Sequence, residues 1–252
     1  MSAWGVRRQL SFVLVFMLLL VLATVIFIIA NRRVPSCSDG IANQGELGED
    51  CGGPCQVVCQ SEADDLVVLW TRVFKVGEGL YDVVAYIENP NPFGLANYPY
   101  SIRIYDADNV PVKDVSGSTY LNPHQRFIIF EPRVNVGFRI PTRAFVSFPQ
   151  EPDWQRLSSV RDVSLVLSNQ HIETSSILAL RVTLTNESLF PLENVELAAL
   201  LYNSDGNVVH ASRTYVDHIG IGESRELVFT WPIIPSEVVV GADVLARVNL
   251  VK

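Results

Sequence analysis

The sequence predicts an all-β protein, built as two tandem copies of one sandwich module behind a single N-terminal transmembrane helix. Three observations carry this: an uncharged apolar run near the start, short alternating apolar runs divided by turn residues from Leu66 onward, and an internal repeat without gaps.

The apolar run, Leu10 to Ala30, reads LSFVLVFMLLLVLATVIFIIA, with Ser11 and Thr24 as its mildly polar members. At about 1.5 Å per residue, a helix of this length covers the roughly 30 Å hydrocarbon core of a bilayer. A cleaved secretory signal has a shorter apolar region that ends in small residues, whereas Ile28 and Ala30 lead into Asn31, Arg32 and Arg33. The run therefore reads as a signal anchor, with a cleaved signal and a buried core helix as the alternatives. A type IV pilin tail would need a glutamate near the start of the run, and none is there. Arg7 and Arg8 before the helix balance Arg32 and Arg33 after it, so charge alone does not orient it. Unequal lengths do: residues 1–9 are expected in the cytoplasm, helix 10–30 in the membrane, and the long remainder outside it.

All four cysteines lie between residues 37 and 59. Cys51, Cys55 and Cys59 are spaced by four, but Gly52, Gly53 and Pro54 break the helix that would gather them on one face for a metal. No histidine is near and no C-x-x-C pair occurs, which disfavours zinc and redox readings. An extracytoplasmic stretch with these four cysteines reads as two disulfides, whose connectivity spacing does not reveal. Asp39, Asn43, Glu46, Glu49 and Asp50 are oxygen donors that could hold calcium, although EF-hand spacing is absent. The alternative is that Asp and Asn make Asx-turns while Gly supplies positive φ. The pattern of Cys37, Asp39, Gly40, Asn43, Gly45, Glu46, Gly48, Asp50, Cys51, Gly52, Gly53, Cys55 and Cys59 resembles a small disulfide-bonded module of secreted and cell-surface proteins.

The repeat sets VVAYIENPNPFGLANYPYSIRIYDADNVPV, from Val83, against LRVTLTNESLFPLENVELAALLYNSDGNVV, from Leu180. One constant shift brings Asn89 onto Asn186, Phe93 onto Phe190, Leu95 onto Leu192, Asn97 onto Asn194, Tyr105 onto Tyr202 and Asp108 onto Asp205. Runs such as Tyr81–Ile87 and Ser101–Tyr105 read as half-buried strands, and Asp106–Asn109 and Asn203–Asn207 as hairpin turns. Each copy is expected to end in a strand pair, near Thr142–Phe148 and Val239–Leu250. Short strands at turn-punctuated intervals suggest sandwiches of immunoglobulin or fibronectin III type, at 66–148 and 160–252, joined by a linker at 149–159.

The segment Ile87 to Leu95, IENPNPFGL, resembles a strand-end motif of the water-stress LEA14 family, and the IRIYDADN and LLYNSDGN hairpins resemble those of FxLyD-type envelope modules. Both resemblances imply non-enzymatic sandwich domains.

Catalytic patterns are scarce. His124, His171, His210 and His218 are scattered without metal-ligand spacing, although His210 and His218 are expected to bracket one hairpin. IGIGES, Ile219 to Ser224, lacks the lysine of a phosphate loop and reads as a turn. Trp70, Trp154 and Trp231 could stack sugar rings; the alternative is one core tryptophan per copy, with Trp154 at the interdomain joint. Asn89 and Asn186 read as residues that satisfy backbone groups at a turn. The net charge of −8 and the lack of a basic stripe argue against nucleic acid. The expectation is a membrane-anchored, non-catalytic binding or structural protein of the cell envelope, with no cofactor unless the loop takes calcium and with protein partners met through sheet edges or loops. An accessory or sensor subunit of a larger membrane complex is the alternative.

Overall fold

The computed structural model describes residues 3–30, 35–157, 161–174 and 177–251. Arg32, Arg33 and Val160, named above as a basic flank and a domain boundary, lie outside the described residues. The chain forms two units, one up to Pro54 and one from Cys55 onward.

In the first unit, helix α1 covers Ala3–Ala30. Its stretch Gln9–Ile29 is long and apolar enough to cross a membrane, and the side chains from Leu10 to Ile29 are exposed, as a lipid-facing helix requires.

The second unit is all-β. After a short 3-10 turn at Gln60–Glu62 come β1 (Val67–Gly77), β2 (Leu80–Asn89), β3 (Leu95–Asp106), β4 (Pro111–Leu121), β5 (Gln125–Asn135) and β6 (Pro141–Ser147). The second copy repeats the order with β7 (Leu165–Glu173), β8 (Leu178–Asn186), β9 (Leu192–Tyr202), β10 (Val208–Ile219), β11 (Ser224–Trp231) and β12 (Gly241–Arg247). Each copy therefore ends in one strand, β6 or β12, not in the expected pair.

Sheets β1-β2-β5 and β4-β3-β6 make the first sandwich, and β7-β8-β11 and β10-β9-β12 the second. Every ladder is antiparallel, and corresponding ladders share a register: Val84 faces Phe130 where Arg181 faces Val228, and Arg103 faces Asp114 where Leu200 faces Ala211. The first core gathers residues such as Val83, Ile87, Ile102, Ile104 and Phe127; the second gathers Leu180, Val182, Leu197, Leu201 and Phe229.

The matched asparagines do the same work in both copies. Asn89, fully buried, accepts the Asn91 amide at 3.1 Å on Oδ1, and its Nδ2 donates to the Phe93 and Asn122 carbonyls at 2.9 and 2.8 Å. Asn186 accepts the Ser188 amide at 3.0 Å and donates to the Phe190 and Ile219 carbonyls at 3.0 and 3.2 Å. One side chain thus closes the β2–β3 or β8–β9 turn and ties it to the end of β4 or β10. Asn89→Ala leaves buried carbonyls and an amide unpaired, and is expected to cost about 3 kcal/mol in denaturant unfolding, with Asn186→Ala costing a similar amount. A loss under about 1 kcal/mol in both would show the bridges to be incidental.

The stretch expected as a linker is packed. The Trp154 carbonyl accepts the Val58 amide at 3.0 Å, the Arg156 amide donates to Gln56 at 2.9 Å, and Gln155 bridges Gly94. This pairing draws Trp154 into the core of the first sandwich, so it does not fill the interdomain joint.

Strand β2 corrects a second expectation. From Tyr81 to Ala85 every residue is buried, not every other one, because a third apolar cluster covers the strand's outer face. Phe74, Val84, Ile128 and Phe130 of the first sandwich meet Ala198, Leu200, Val208 and Ala211 of the second. Sheet β1-β2-β5 thus lies against sheet β10-β9-β12. The two remaining outer faces are polar at the equivalent positions. Where the second copy has Leu200 and Ala211, the first has Arg103 paired to Asp114 at 2.8 Å; where the first has Val84, the second has Arg181, bonded to Glu173 and Glu226 at 2.7 and 3.0 Å.

Candidate functional site

The cysteine loop is built on its own carboxylates. Asp39 accepts the Ile41 amide at 3.0 Å and the Asn43 side-chain amide at 3.0 Å; both Asp50 oxygens accept the Gly40 amide at 3.0 Å; and Glu46 accepts the Asn43 amide at 3.2 Å. Gly40, Gly45, Gly52 and Gly53 all have positive φ. At Gly53 a Cβ would fall 2.1 Å from the Gly45 carbonyl, so the loop closes only around glycine. Of the residues considered above as calcium ligands, Asp39, Glu46 and Asp50 accept the bonds that shape an Asx-turn framework, and Asn43 donates its side-chain amide into it. All four cysteines, Cys37, Cys51, Cys55 and Cys59, are disulfide-bonded.

The tryptophans do not form a platform. Trp154 and Trp231 are buried, and Trp70, half-buried at the joint, tilts against Tyr86 at 5.7 Å under the Arg72 guanidinium. His210 and His218 lie on one strand, β10, not at the two ends of a hairpin; the first is buried and the second exposed. Eight residues of strand hold them roughly 26 Å apart, too far to share an ion. His124 and His171 are exposed in the β4–β5 turn and on β7. IGIGES, Ile219 to Ser224, spans the β10–β11 turn.

The repeat-matched aromatics divide by copy. Phe93 is buried under the Arg156 guanidinium, at 5.2 Å, and Phe190 is half-buried under Arg161 at 5.3 Å. Tyr105 packs edge-on against Phe145 on the outer face of the first sandwich, whereas Tyr202 enters the joint, where burial pushes its phenol up to about 12. Residues that the sequence comparison missed also match. Asp106 and Asn203 each accept, on Oδ1, the amides two and four residues ahead, which fixes both hairpins. Their signal was an Asp/Asn at one repeat position, visible only if side-chain chemistry is scored above identity.

A dense polar constellation lies in the joint. Glu196, 5 % exposed, meets Arg247 at 2.8 Å and Arg213 at 3.5 Å. Arg247 also donates to Thr119 Oγ1 at 3.1 Å and lies over the Tyr120 and Phe127 rings at 4.3 and 4.9 Å. Asn122 joins the sandwiches from both ends of its amide, donating to the Val248 carbonyl at 2.9 Å and accepting the Leu250 amide at 3.0 Å. A cleft of about 330 Å³ opens beside this network, walled by Tyr100, Tyr120 and Tyr215. Tyr100 donates to Glu131, and burial drives the Tyr100 and Tyr120 phenols far above their usual range, so both stay protonated. With its charges mutually neutralised and its phenols kept protonated, the network is suited to holding two domains together.

His210 belongs to the same joint. It stacks on Phe74 at 5.5 Å, accepts the Ala211 amide at 3.2 Å on Nδ1, and lies near Arg72, Lys75 and Glu237. Burial holds its imidazole below the usual value of 6.5. The unfolded chain then binds the proton more readily than the folded one. Stability is accordingly complete above pH 6.5 and falls as pH drops through the depressed folded value. His210→Phe is expected to flatten that part of the stability-against-pH curve; an unchanged slope would assign it to other groups.

No protein-family model matches the chain, and comparison with curated proteins finds no match either.

Proposed function

We propose that the chain is a membrane-anchored, non-catalytic binding or structural protein of the cell envelope. In this reading its N-terminus is cytoplasmic and its sandwiches are displayed on the extracytoplasmic side. The observation that carries the reading is the union of an apolar helix of spanning length with four cysteines that are all disulfide-bonded, a combination stable in an oxidising compartment. The likeness to FxLyD and LEA14-type modules and to the surface-protein cysteine module belongs to this proposal and agrees with a scaffold that presents surface.

An accessory or sensor subunit of a larger complex is the second reading. What favours it is a set of bulky apolar residues on two equivalent loops: Phe138 and Ile140 between β5 and β6, and Ile234, Val238 and Val240 between β11 and β12, all exposed. Such side chains suit burial in an assembly.

The test is thiol labelling of the full chain in intact cells with a membrane-impermeant maleimide, before and after impermeant reductant. The expected result is no labelling until reduction, then labelling from outside. Thiols free beforehand, or reachable only after the membrane is opened, would overturn the display reading.

A further inference from the structure

Tyr215, Glu196 and Arg247 pair in one row across β10, β9 and β12, and directly paired residues share a face of the sheet. Arg213 lies two residues along β10 on that same face, opposite Ala198 of the third cluster. The first sandwich meets this row with β4 and β5, the edge strands of its two sheets, and the cleft of about 330 Å³ lies between them. Gly117 shapes one wall. It pairs with Tyr100 across β3 and β4, and a Cβ there would fall 2.4 Å from the Tyr100 hydroxyl, so only glycine lets that hydroxyl reach Glu131.

The cleft holds more hydrogen-bonding capacity than the protein uses. Among the described residues the Tyr120 hydroxyl is buried without a partner, a costly arrangement, and the groups whose charge acts on it, Arg247, Glu196 and Tyr215, all line the cleft. Arg213 meets Glu196 at 3.5 Å, longer than an ordinary hydrogen bond, so its donors are not saturated. Glu193 and Asn194 also line the cleft and are exposed, with no side-chain hydrogen bond among the described residues. Two arginines stand against two glutamates, which offers no net charge to an ion. Tyr215, 53 % exposed, adds an aromatic ring. Donors and acceptors in balance beside an aromatic ring suit a neutral ligand whose hydroxyls both give and accept hydrogen bonds around a partly apolar ring. The volume is at the lower end of the roughly 300–1,000 Å³ usual for small-molecule sites, and domain joints are a favoured place for them. We propose that this cleft is a carbohydrate site, which takes one neutral sugar ring of a glycan. Tyr120 and Arg213 bond its inner hydroxyls, Glu193 and Asn194 its outer ones, and Tyr215 packs against the ring. The proposal deepens the binding reading above and rests on it.

The test uses the full chain in a zwitterionic detergent, because sugar-headed detergents would compete. The probes are the methyl glycosides of glucose, galactose, mannose and N-acetylglucosamine, read by saturation-transfer NMR and by titration. The expected result is saturable binding of at least one of them, with a Kd of about 1 mM or below, that weakens about tenfold in Tyr120→Phe. The urea midpoint of that variant should stay level or rise, since the lost hydroxyl bonds nothing in the protein. Failure of every glycoside, binding indifferent to Tyr120→Phe, or a lowered urea midpoint, which would make the hydroxyl structural, would each overturn the proposal. So would tighter binding of free glycine, a zwitterion that would use Arg213 and Glu193 as charges. If the sugars fail while the thiols stay sealed, only the carbohydrate site is lost. If the thiols are free, the display reading falls whatever the sugars do.

Discussion

Leu200→Arg combined with Ala211→Asp is expected to undock the two sandwiches while leaving each folded. The exchange copies onto the second sandwich the Arg103–Asp114 pair that keeps the equivalent face of the first one polar. Leu200 and Ala211 face Val84 and Phe130 across a joint that excludes water, and charges introduced there lose several kcal/mol of solvation each unless the faces part. Neither residue belongs to either sandwich core. Calorimetry should therefore change from one transition to two, and small-angle scattering should show a larger radius of gyration. One unchanged transition would mean that the joint does not depend on this face. The reverse exchange, Arg103→Leu with Asp114→Ala, should leave the joint intact and produce concentration-dependent association, because it bares an apolar patch on an outer face.

Arg247→Ala should be the most damaging single substitution in the joint. It leaves the Glu196 carboxylate buried with only Arg213, at 3.5 Å, and a buried ion stripped of its main partner typically costs about 3–5 kcal/mol. Loss of the guanidinium from between Tyr120 and Phe127 adds roughly 0.5–2 kcal/mol. The double variant Arg247→Leu, Glu196→Leu should recover most of that loss, since it removes both charges together. Equal damage in the single and double variants would show that Arg247 acts through packing and its bonds to the first sandwich. Urea unfolding of the wild type, Arg247→Leu, Glu196→Leu and the double variant gives the coupling directly.

Much of this architecture was legible in sequence because it rests on local rules. Helix α1 follows from apolar length, the hairpins from Asp and Asn at turns, and the tandem copies from a shift that holds from Asn89 to Asp205. What local rules do not reach is contact between copies. Val84 and Leu200 sit in near-continuous apolar runs, YDVVAY and LAALLY, and such runs mark strands covered on both faces; read as half-buried strands, they hid the joint. Glu196, Arg213 and Arg247 are far apart in the chain and ordinary singly, so no spacing announces them. Trp154 was legible as a packed residue but not in its place, since that depends on pairing between 56–58 and 154–156.

The covered face of β2 has a consequence in time. Phe74, Val84, Ile128 and Phe130 are all made before Leu200 and Ala211, and the last contributor to their cover, Leu245, comes near the end of the chain. At the usual pace of synthesis, a first sandwich that folds as soon as β6 emerges stands for roughly ten seconds with that apolar face bare. Each newly made chain thus passes through an interval in which it is folded, sticky and unfinished. During that interval the chains around it decide whether it pairs with its own second half or with another chain's.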